Sequence, residues 1–231
     1  MNYAIILSGG IGSRMRLDRP KQYYRVNDKM VIGYVLDTIE KHDKIDGYIV
    51  VAAETWQPFV VELIGKSKKF LGFAMPGENR QLSIYSGLCA LRDVAKEDDV
   101  VLIQDAARAN TSYELVSRCL ELKPETDGAM PVLPMKDTVY LSRDGKQVDE
   151  LLKREQIFAG QAPESFRYGK YLQANEALLP EAILMINGST EPAVKAGMQI
   201  TLIDGEESNF KITTMEDLRR FESIVSNPSN S

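Results

Sequence analysis

The sequence predicts an α/β fold in which a doubly wound, mostly parallel sheet carries helices on both faces. Short apolar runs rich in strand formers alternate with stretches of helical apolar spacing through the first half of the chain. A glycine-rich turn follows the first of these runs directly. Strands and helices that alternate in this way form parallel sheets through right-handed crossovers.

The individual elements follow from local patterns, beginning with the apolar run at residues 3–7, which predicts a strand buried on both faces. Further strands are predicted at residues 48–53, 70–75, 100–103, 127–132 and 199–203. Helices are predicted at residues 31–40, 56–64, 80–94, 112–122, 165–178 and 215–225. The early strands are therefore separated by helices, as parallel pairing requires.

The segment 136–155 predicts an extended polar hairpin, which we call the arm. A long polar hairpin has little core of its own, so we expect a second subunit to stabilise it and the protein to be a homodimer. The 231 residues could form one large or two small domains, and the lack of a repeat or linker favours one domain over residues 1–225. Residues 226–231 predict a disordered tail.

Composition excludes several classes of function. With 28 Lys and Arg against 33 Asp and Glu, the net charge of −5 argues against a nucleic-acid partner. No apolar stretch reaches the roughly 18 residues of a membrane span. Cys89 and Cys119 lack metal spacing and predict reduced core thiols in a cytoplasmic protein. The single histidine, His42, lies among charged residues, and this setting predicts a solvated surface side chain with no catalytic role.

The glycine-rich turn after the first strand predicts a phosphate-binding loop. Glycine lets backbone N–H groups approach an anion closely. The spacing excludes a Walker A loop, and Met15 stands where a dinucleotide fingerprint has its third glycine. A glycine turn without a ligand is the alternative. The residues assigned to this loop are Ser8, Gly9, Gly10, Gly12 and Ser13, with the cations Arg14 and Lys21.

Two further strand ends carry polar groups, and ligands of doubly wound sheets bind at the carboxyl ends of strands. Gly77, Arg80 and Ser83 begin a helix, where free N–H groups can meet an anion or a base edge; an ordinary helix cap is the alternative. Asp105 ends another strand beside the small Ala106, and a carboxylate next to a phosphate loop suits nucleotide-bound Mg²⁺.

Two cations near this second strand end have alternative readings. Arg108 follows Asp105 at a distance of three residues, so the two could form a capping pair for the next helix. Lys211 lies in a short extended segment, where a lysine is most often a solvated charge.

Taken together, these motifs resemble the cytidylyltransferase family typified by 2-C-methyl-D-erythritol 4-phosphate cytidylyltransferase and its relative ribitol 5-phosphate cytidylyltransferase. The resemblance covers nearly the whole chain and implies a Rossmann-like nucleotidyltransferase fold with a β-arm used in dimerisation. The matching motifs are G-G-I-G-S-R-M with P-K-Q-Y over 9–23, Arg80 with Ser83, D-A-A-R over 105–108, D-T over 137–138, Arg154 with Pro163, and N-F-K-I-T over 209–213.

The resemblance implies transfer of CMP from CTP to a polyol phosphate, with release of pyrophosphate. It implies that Arg14, Lys21 and Lys211 stabilise the developing charge and that Asp105 holds Mg²⁺. No general base is needed, because the acceptor phosphate is already ionised at neutral pH.

The resemblance also assigns the binding residues. Gly77, Glu78 and Ser83 would read cytosine, with Arg80 supporting their turn, and the small Ala106 leaves room for the nucleotide. Thr138 and Arg154 on the arm would bind the acceptor phosphate in the partner's site, with Arg108 nearby. Without the resemblance, an arginine on a hairpin is usually a solvated charge.

Departures from the family pattern concern the acceptor. Ala162-Pro163-Glu164 stands where the family commonly has T-P-Q, which removes a hydroxyl and adds a negative charge. Glu191, in Thr190-Glu191-Pro192, is assigned to the place of an acceptor-binding aspartate. The acceptor is therefore left open among ribitol 5-phosphate, 2-C-methyl-D-erythritol 4-phosphate and related alditol phosphates. A nucleotidyltransferase that uses another nucleotide, and a non-catalytic nucleotide-binding regulator, are the alternative functions.

Overall fold

The computed structural model describes residues 1–10 and 19–227. An eight-stranded sheet lies at its centre, and two short hairpins form separate two-stranded sheets. The strands are β1 (Asn2–Leu7), β2 (Arg25–Val26), β3 (Lys29–Met30), β4 (Gly47–Val51), β5 (Phe70–Ala74), β6 (Val100–Asp105), β7 (Gly128–Pro134), β8 (Tyr140–Leu141), β9 (Glu150–Leu151), β10 (Phe158–Gly160), β11 (Glu164–Arg167) and β12 (Ile200–Asp204). The α-helices are α1 (Val31–Lys41), α2 (Gln57–Ile64), α3 (Arg80–Ala90), α4 (Tyr113–Leu120), α5 (Tyr168–Glu176), α6 (Glu191–Lys195) and α7 (Met215–Ser226).

The sheet confirms the predicted doubly wound, mostly parallel plan. Strand β1 pairs in parallel with both β4 and β6, and β4 pairs in parallel with β5. Beyond β6 lie the antiparallel β11 and then β7, which pairs in parallel with β12. Strands β4 and β5 lie on one side of β1, and the chain then crosses to place β6 on the other side. A ligand crevice is expected where the strand order reverses in this way, at the carboxyl ends of β1 and β6.

The core lies on both faces of this sheet, which explains why the strand sequences lack polar alternation. One face packs against α1, α2 and α4, and Ile6 and Leu102 are fully buried there. The other face packs against α3, α5 and α6, and Ile5 and Ile103 are fully buried there. Strands covered on both faces read as continuous apolar runs.

The predicted helix at 165–178 is wrong in its first residues. Residues Glu164–Arg167 form β11, and α5 begins only at Tyr168. Phe166 has no solvent exposure, because β11 pairs with β6 on one side and with β7 on the other. These pairings join β11 to segments about 60 and about 36 residues away, which local helical spacing does not encode.

The prediction for His42 is also wrong, because its side chain has no solvent exposure. Its ring stacks on Tyr113 with centroids 4.1 Å apart, and Nε2 lies 2.9 Å from Ser117 Oγ. Burial lowers the pKa of His42, although nearby Asp43 opposes that effect. The charged neighbours of His42 in sequence predicted an exposed side chain. In the fold, α4 covers the end of α1 and buries it.

Several other predictions can be compared with the structure. Cys89 and Cys119 are free thiols; Cys119 is buried, as predicted for a core thiol, whereas Cys89 is only partly buried. Within the described part of the chain, no helix is long and apolar enough to cross a membrane. The arm contains the two-stranded sheet of β8 and β9, separate from the central sheet. Ser226, predicted to begin the tail, still belongs to α7, and residues 228–231 lie outside the described residues.

Candidate active site

The site begins where β1 and β6 end side by side. Leu7 lies opposite Asp105 in the parallel register, and the Ala106 N–H donates to the Leu7 carbonyl at 3.0 Å. The Ser8 N–H donates to the Val51 carbonyl of β4 at 2.9 Å. The sheet therefore fixes the start of the glycine turn and Asp105 at the same edge.

The P-K-Q-Y segment holds the glycine turn. Gln22 Nε2 donates to the carbonyls of Ser8 and Gly10 at 2.7 and 2.8 Å. Ser8 Oγ donates to the Tyr23 hydroxyl at 2.7 Å, and Tyr23 stacks on Trp56. The Ser8 side chain thus supports the turn from inside the protein, and burial raises the pKa of Tyr23 to about 12.

Glycine is required at two places where the loops meet. A Cβ on Gly9 would overlap Pro76 Cβ, so the glycine turn touches the loop that precedes α3. A Cβ on Gly77 would overlap Leu82 Cβ. A Cβ on Gly10, by contrast, would have no neighbour within 4 Å among the described residues. The close approach at Gly9 brings the predicted phosphate loop against the predicted base-reading loop.

The loop before α3 is shaped by its own polar groups. Ser83 Oγ accepts from the Gly77 N–H at 3.0 Å and donates to the Asn79 carbonyl at 2.9 Å. Asn79 caps α3 by accepting from the Leu82 N–H, and Glu78 is exposed at the tip. The helix cap therefore forms, and the reading of a base edge or an anion by the exposed tip stays a prediction.

Asp105 forms the centre of a cationic corner, which consists of Asp105, Arg80, Arg108 and Lys211. Arg80 Nε and Nη2 donate to Asp105 Oδ1 at 3.2 and 3.1 Å, and Lys211 Nζ lies 2.8 Å from Oδ2. Arg108 Nε lies 3.8 Å from the same Oδ2. Arg80, expected to support the base-reading turn, thus pairs with the carboxylate, and its support of the turn stays a prediction.

Three cations around one carboxylate decide its ionisation. Asp105 is 7% exposed, and burial alone would raise its pKa. Arg80, Lys211 and Arg108 outweigh that effect and hold the pKa of Asp105 well below its ordinary value. With one negative and three positive charges, the corner carries an excess of positive charge that suits a polyanionic ligand.

Asn209 joins the corner to two neighbouring segments. Its carbonyl accepts from Arg108 Nη1 at 2.6 Å, and its Oδ1 accepts from Thr111 Oγ1 at 2.9 Å. Its Nδ2 donates to the Ala162 carbonyl at 2.8 Å. Asn209 has no solvent exposure, so its carbonyl fixes Arg108 and its side chain fixes Thr111 and the approach to β11 from inside the protein.

Glu164 lies on the same face of the sheet as Asp105. Its register opposite Ile103 places it there, because residues two apart on a strand share a face. The Glu164 carboxylate accepts hydrogen bonds from Ser189 Oγ and from Thr190 Oγ1. Burial raises the pKa of Glu164 to about 7, and Arg80 opposes this effect.

The remaining acceptor-side residues have local contacts. Thr138 and Arg154 are exposed on the arm, and Arg154 Nη1 donates to the Lys136 carbonyl at 2.8 Å. Glu191 Oε2 accepts from the Asn187 N–H at 3.0 Å, and Oε1 lies 3.7 Å from Lys195 Nζ. None of these contacts reaches the cationic corner within the described chain.

Some predicted residues are not tested by the structure. Gly12, Ser13 and Arg14 lie outside the described residues. Lys21 begins the short 3-10 helix Lys21–Tyr23 beside the glycine turn. Because its neighbours Gln22 and Tyr23 contact the glycine turn, Lys21 lies next to the loop to which the sequence assigned it.

The corner fits a magnesium ion that arrives with a nucleotide. Among the described residues, no three His, Cys, Asp or Glu side chains group as a metal site. Asp105 supplies one ionised carboxylate at the end of β6. Mg²⁺ typically binds one or two carboxylates together with substrate phosphates, so this donor set suffices only when phosphates are present.

Sequence reasoning missed three residues that organise the site. Gln22 and Tyr23 were seen only as part of a motif, although an amide and a phenol directly after a predicted phosphate loop could have indicated supports for it. Asn209 acts through contacts about 50 and 100 residues away in sequence, which no local pattern encodes.

Residues 2–227 match the model of the family described as IspD: 2-C-methyl-D-erythritol 4-phosphate cytidylyltransferase. Ribitol-5-phosphate cytidylyltransferase of Streptococcus agalactiae serotype V is 29% identical over 227 residues, which are 97% of this chain and 95% of that protein. 2-C-methyl-D-erythritol 4-phosphate cytidylyltransferase of Geobacter metallireducens is 33% identical over 230 residues, which are 96% of this chain and 97% of that protein. The crystal structure of the Francisella tularensis enzyme of the same name is similar with a TM-score of 0.80 and 25% identity, and the match covers 96% of this chain and 98% of that one.

Proposed function

The chain belongs to the 2-C-methyl-D-erythritol 4-phosphate cytidylyltransferase family, and we propose that it transfers CMP from CTP to a polyol phosphate. The observation that carries this proposal is the cationic corner at the carboxyl ends of β1 and β6. There a carboxylate and three cations lie beside a glycine turn, an arrangement that suits a triphosphate with its metal ion.

The reaction is a displacement at the α-phosphorus of CTP. A phosphate oxygen of the acceptor attacks in line, the bond to the pyrophosphate oxygen breaks, and pyrophosphate leaves. Negative charge builds on the non-bridging and leaving oxygens, where Lys211 and, by family assignment, Arg14 and Lys21 stabilise it. The acceptor phosphate is already ionised, so no side chain has to remove a proton.

Asp105 would hold Mg²⁺ together with the phosphate oxygens of CTP, and the ion would supply charge neutralisation there. The low pKa of Asp105 keeps its carboxylate ionised at any working pH. Arg80 and Arg108 also lie beside this carboxylate, so they would keep it paired if Lys211 turned to the phosphates. The loop of Gly77, Glu78 and Ser83 would read the cytosine through its backbone groups.

The acceptor phosphate would be bound by Arg154 and Thr138 from the arm of a second subunit. Both side chains are exposed and form no contact with the corner of their own chain. Tyr140 and Leu151 on the arm are 56% and 60% exposed, and such apolar side chains favour coverage by another copy. A homodimer with shared sites accounts for both observations. Free thiols and a nucleotide substrate support a cytoplasmic location.

The proposal is tested by pyrophosphate release with CTP, Mg²⁺ and a panel of alditol phosphates that includes ribitol 5-phosphate and 2-C-methyl-D-erythritol 4-phosphate. We expect turnover with at least one acceptor. Parallel thermal-shift titrations with CTP, UTP, GTP and ATP should show the largest stabilisation with CTP, since at equal concentration the ligand with the lowest Kd stabilises most. A preference for another nucleotide, or binding of CTP without turnover on any acceptor, would contradict the proposal.

A further inference from the structure

Asn79 forms contacts that a helix cap does not require. Its Oδ1 caps α3 by accepting from the Leu82 N–H at 2.8 Å. Its Nδ2 donates to the carbonyls of Ile183 and Leu184 at 2.9 and 3.2 Å. Serine and ionised aspartate cap a helix about as well as asparagine does, but neither can donate two such hydrogen bonds. We call the two bonds to these carbonyls the tether, and they are the part of the arrangement that depends on the amide.

The tether joins the loop before α3 to a fixed support about 100 residues away in sequence. Both carbonyls belong to the short 3-10 helix Ala182–Met185, in which Ile183 has no solvent exposure. The Tyr171 hydroxyl donates to the Ser189 carbonyl at 2.7 Å and accepts from Gln81 Nε2 of α3 at 3.1 Å. The start of α3 therefore contacts this support directly through Asn79 and, by way of Tyr171, through Gln81.

The tip of the loop carries two unpaired peptide groups. Among the described residues, no hydrogen bond involves the peptide groups on either side of Glu78, which is exposed. The preceding peptide group is held, since the Gly77 N–H donates to Ser83 Oγ at 3.0 Å. A peptide group that turns over puts its carbonyl where its N–H was, so it can meet either a donor or an acceptor. The anchors at Gly77 and Asn79 are what restrict such a turn.

The two pyrimidine nucleotides differ in this same respect. Cytosine presents an amino donor at position 4 and an acceptor at N3, whereas uracil presents an acceptor at position 4 and a donor at N3. A backbone group can distinguish these patterns only while its own orientation is fixed. Rigidity of the loop tip is therefore a condition for reading the base.

We propose that Asn79 is a positioning residue that sets the preference for CTP over UTP. The inference rests on the proposed function, because it concerns the base that the loop of Gly77, Glu78 and Ser83 reads. With the tether in place, the peptide group between Glu78 and Asn79 keeps one orientation and matches one pyrimidine. Without the tether, this group can turn and accommodate the other pyrimidine as well.

Asn79→Ser and Asn79→Asp separate the tether from the cap. Both new side chains can accept from the Leu82 N–H, so α3 should still begin at the same residue. The serine hydroxyl is too short to span the tether, and an aspartate oxygen would face the carbonyls of Ile183 and Leu184 without a hydrogen to donate. Each variant therefore loses the tether alone.

Isothermal titration calorimetry with CTP and with UTP, each in the presence of Mg²⁺, tests the inference without an acceptor. The wild-type protein should bind CTP about 100-fold more tightly than UTP, since uracil leaves the groups that read cytosine unpaired. In Asn79→Ser and Asn79→Asp this ratio of Kd values should fall by about tenfold, as expected when one hydrogen bond no longer distinguishes the bases.

Asn187→Ser is the matched control. Asn187 Nδ2 donates within the supporting segment itself, to the Met185 carbonyl at 3.1 Å. The control variant therefore loses an amide hydrogen bond to the same segment but keeps the tether, and it should retain the wild-type ratio. A general loosening of the segment would lower the ratio in the control as well.

Wild-type ratios in both Asn79 variants would overturn the inference, as would a wild-type ratio in one of them if the other does not fold. An equal fall of the ratio in Asn187→Ser would also overturn it, because the tether would then have no special role. A wild-type protein that binds CTP no more tightly than UTP would instead overturn the proposed function, and this inference with it.

Discussion

The cationic corner and the arm satisfy their charged groups in opposite ways. In the corner, Asp105 is buried and meets cations from α3, from the turn after β6 and from the segment after β12. On the arm, Arg154 is exposed and donates to a carbonyl of the arm itself. The groups of the corner are therefore organised around one another, whereas the exposed Arg154 pairs, within the described chain, only with a carbonyl of the arm.

Substitutions in the two regions should therefore impair different parts of the reaction. A change in the corner should affect chemistry within each subunit, because all of its groups come from one chain. In the proposed homodimer, a change on the arm should affect binding of the acceptor alone, and it should do so in the partner's site. Each prediction below tests one side of that contrast.

The largest effect is expected from Asp105→Asn. Loss of the carboxylate removes the predicted metal ligand and the anchor of three cations, so kcat should fall by about 10²–10³-fold. Pyrophosphate release at saturating CTP measures the loss. Asp204→Asn is the matched control, since Asp204 also ends a strand but is exposed, and it should retain activity. Full activity of Asp105→Asn would show that the corner is only structural.

The second prediction concerns the pH dependence of stability. A carboxyl whose pKa is raised on folding stabilises the protein when protonated, and this contribution is lost as pH rises from 4.5 to about 7. For Glu164 the loss amounts to about 3 kcal/mol. Asp105 has the opposite sign, but its lowered pKa confines its effect to pH below about 4.

Unfolding by urea at pH 5 and pH 8 measures this effect. The wild-type free energy of unfolding should fall between the two values, and that of Glu164→Gln should fall less. Equal changes in both proteins would contradict the assignment of the pH dependence to Glu164.

The third prediction tests the arm. Arg154→Ala should raise the KM for the acceptor by about tenfold, because a cation that binds phosphate is lost, and it should leave the KM for CTP unchanged. Arg143→Ala is the matched control, since Arg143 also lies on the arm but lies 3.4 Å from Asp149. Equal losses for acceptor and CTP would contradict the division between corner and arm.

Mixing two impaired variants, assayed at an acceptor concentration well below KM, sharpens the same comparison. Arg154→Ala and Lys211→Ala subunits, refolded together, should reach about a quarter of wild-type activity if the arm serves its partner, since half the dimers are mixed and each has one intact site. An arm that served its own subunit would leave only the residual activity of the Arg154→Ala subunits.

The smallest effect is expected from Tyr23→Phe, which removes the hydroxyl paired with Ser8 and keeps the stacking on Trp56. Stability should fall by about 1 kcal/mol, and the KM for CTP should rise severalfold as the glycine turn loses a support. Tyr24→Phe, at the partly exposed neighbour, is the control and should change neither. A change in the acceptor KM alone would show that Tyr23 supports acceptor binding and not CTP binding, and would contradict this prediction.

The sequence predicted the parallel half of the sheet well, because strands such as β1, β4 and β6 are buried on both faces and carry unbroken apolar runs. It predicted β11 poorly, since those four residues owe their strand conformation to partners far away in sequence. The predicted exposure of His42 was wrong for the same reason. Local composition describes what surrounds a residue in sequence, whereas burial depends on what folds over it.

The site shows the same division. The motifs predicted which residues gather near Asp105, because strand ends converge in any doubly wound sheet. They did not predict that Arg80 pairs with that carboxylate, which lies 25 residues away. Nor did the negative charge noted at Glu164 indicate that Ser189 and Thr190 would donate to it. Contacts of this kind depend on side-chain direction, which a single sequence does not specify.

Asn209 has a consequence for engineering this protein. Its side chain and carbonyl join Arg108, Thr111 and Ala162, so three stretches of chain share one buried clasp. A chimera that imports only residues 161–164 from a relative would change the side chains of that stretch but keep the contacts of Asn209 with Arg108 and Thr111. The imported stretch would therefore adopt the geometry of this protein. Transplanting all three stretches together is the exchange that should carry a different acceptor preference intact.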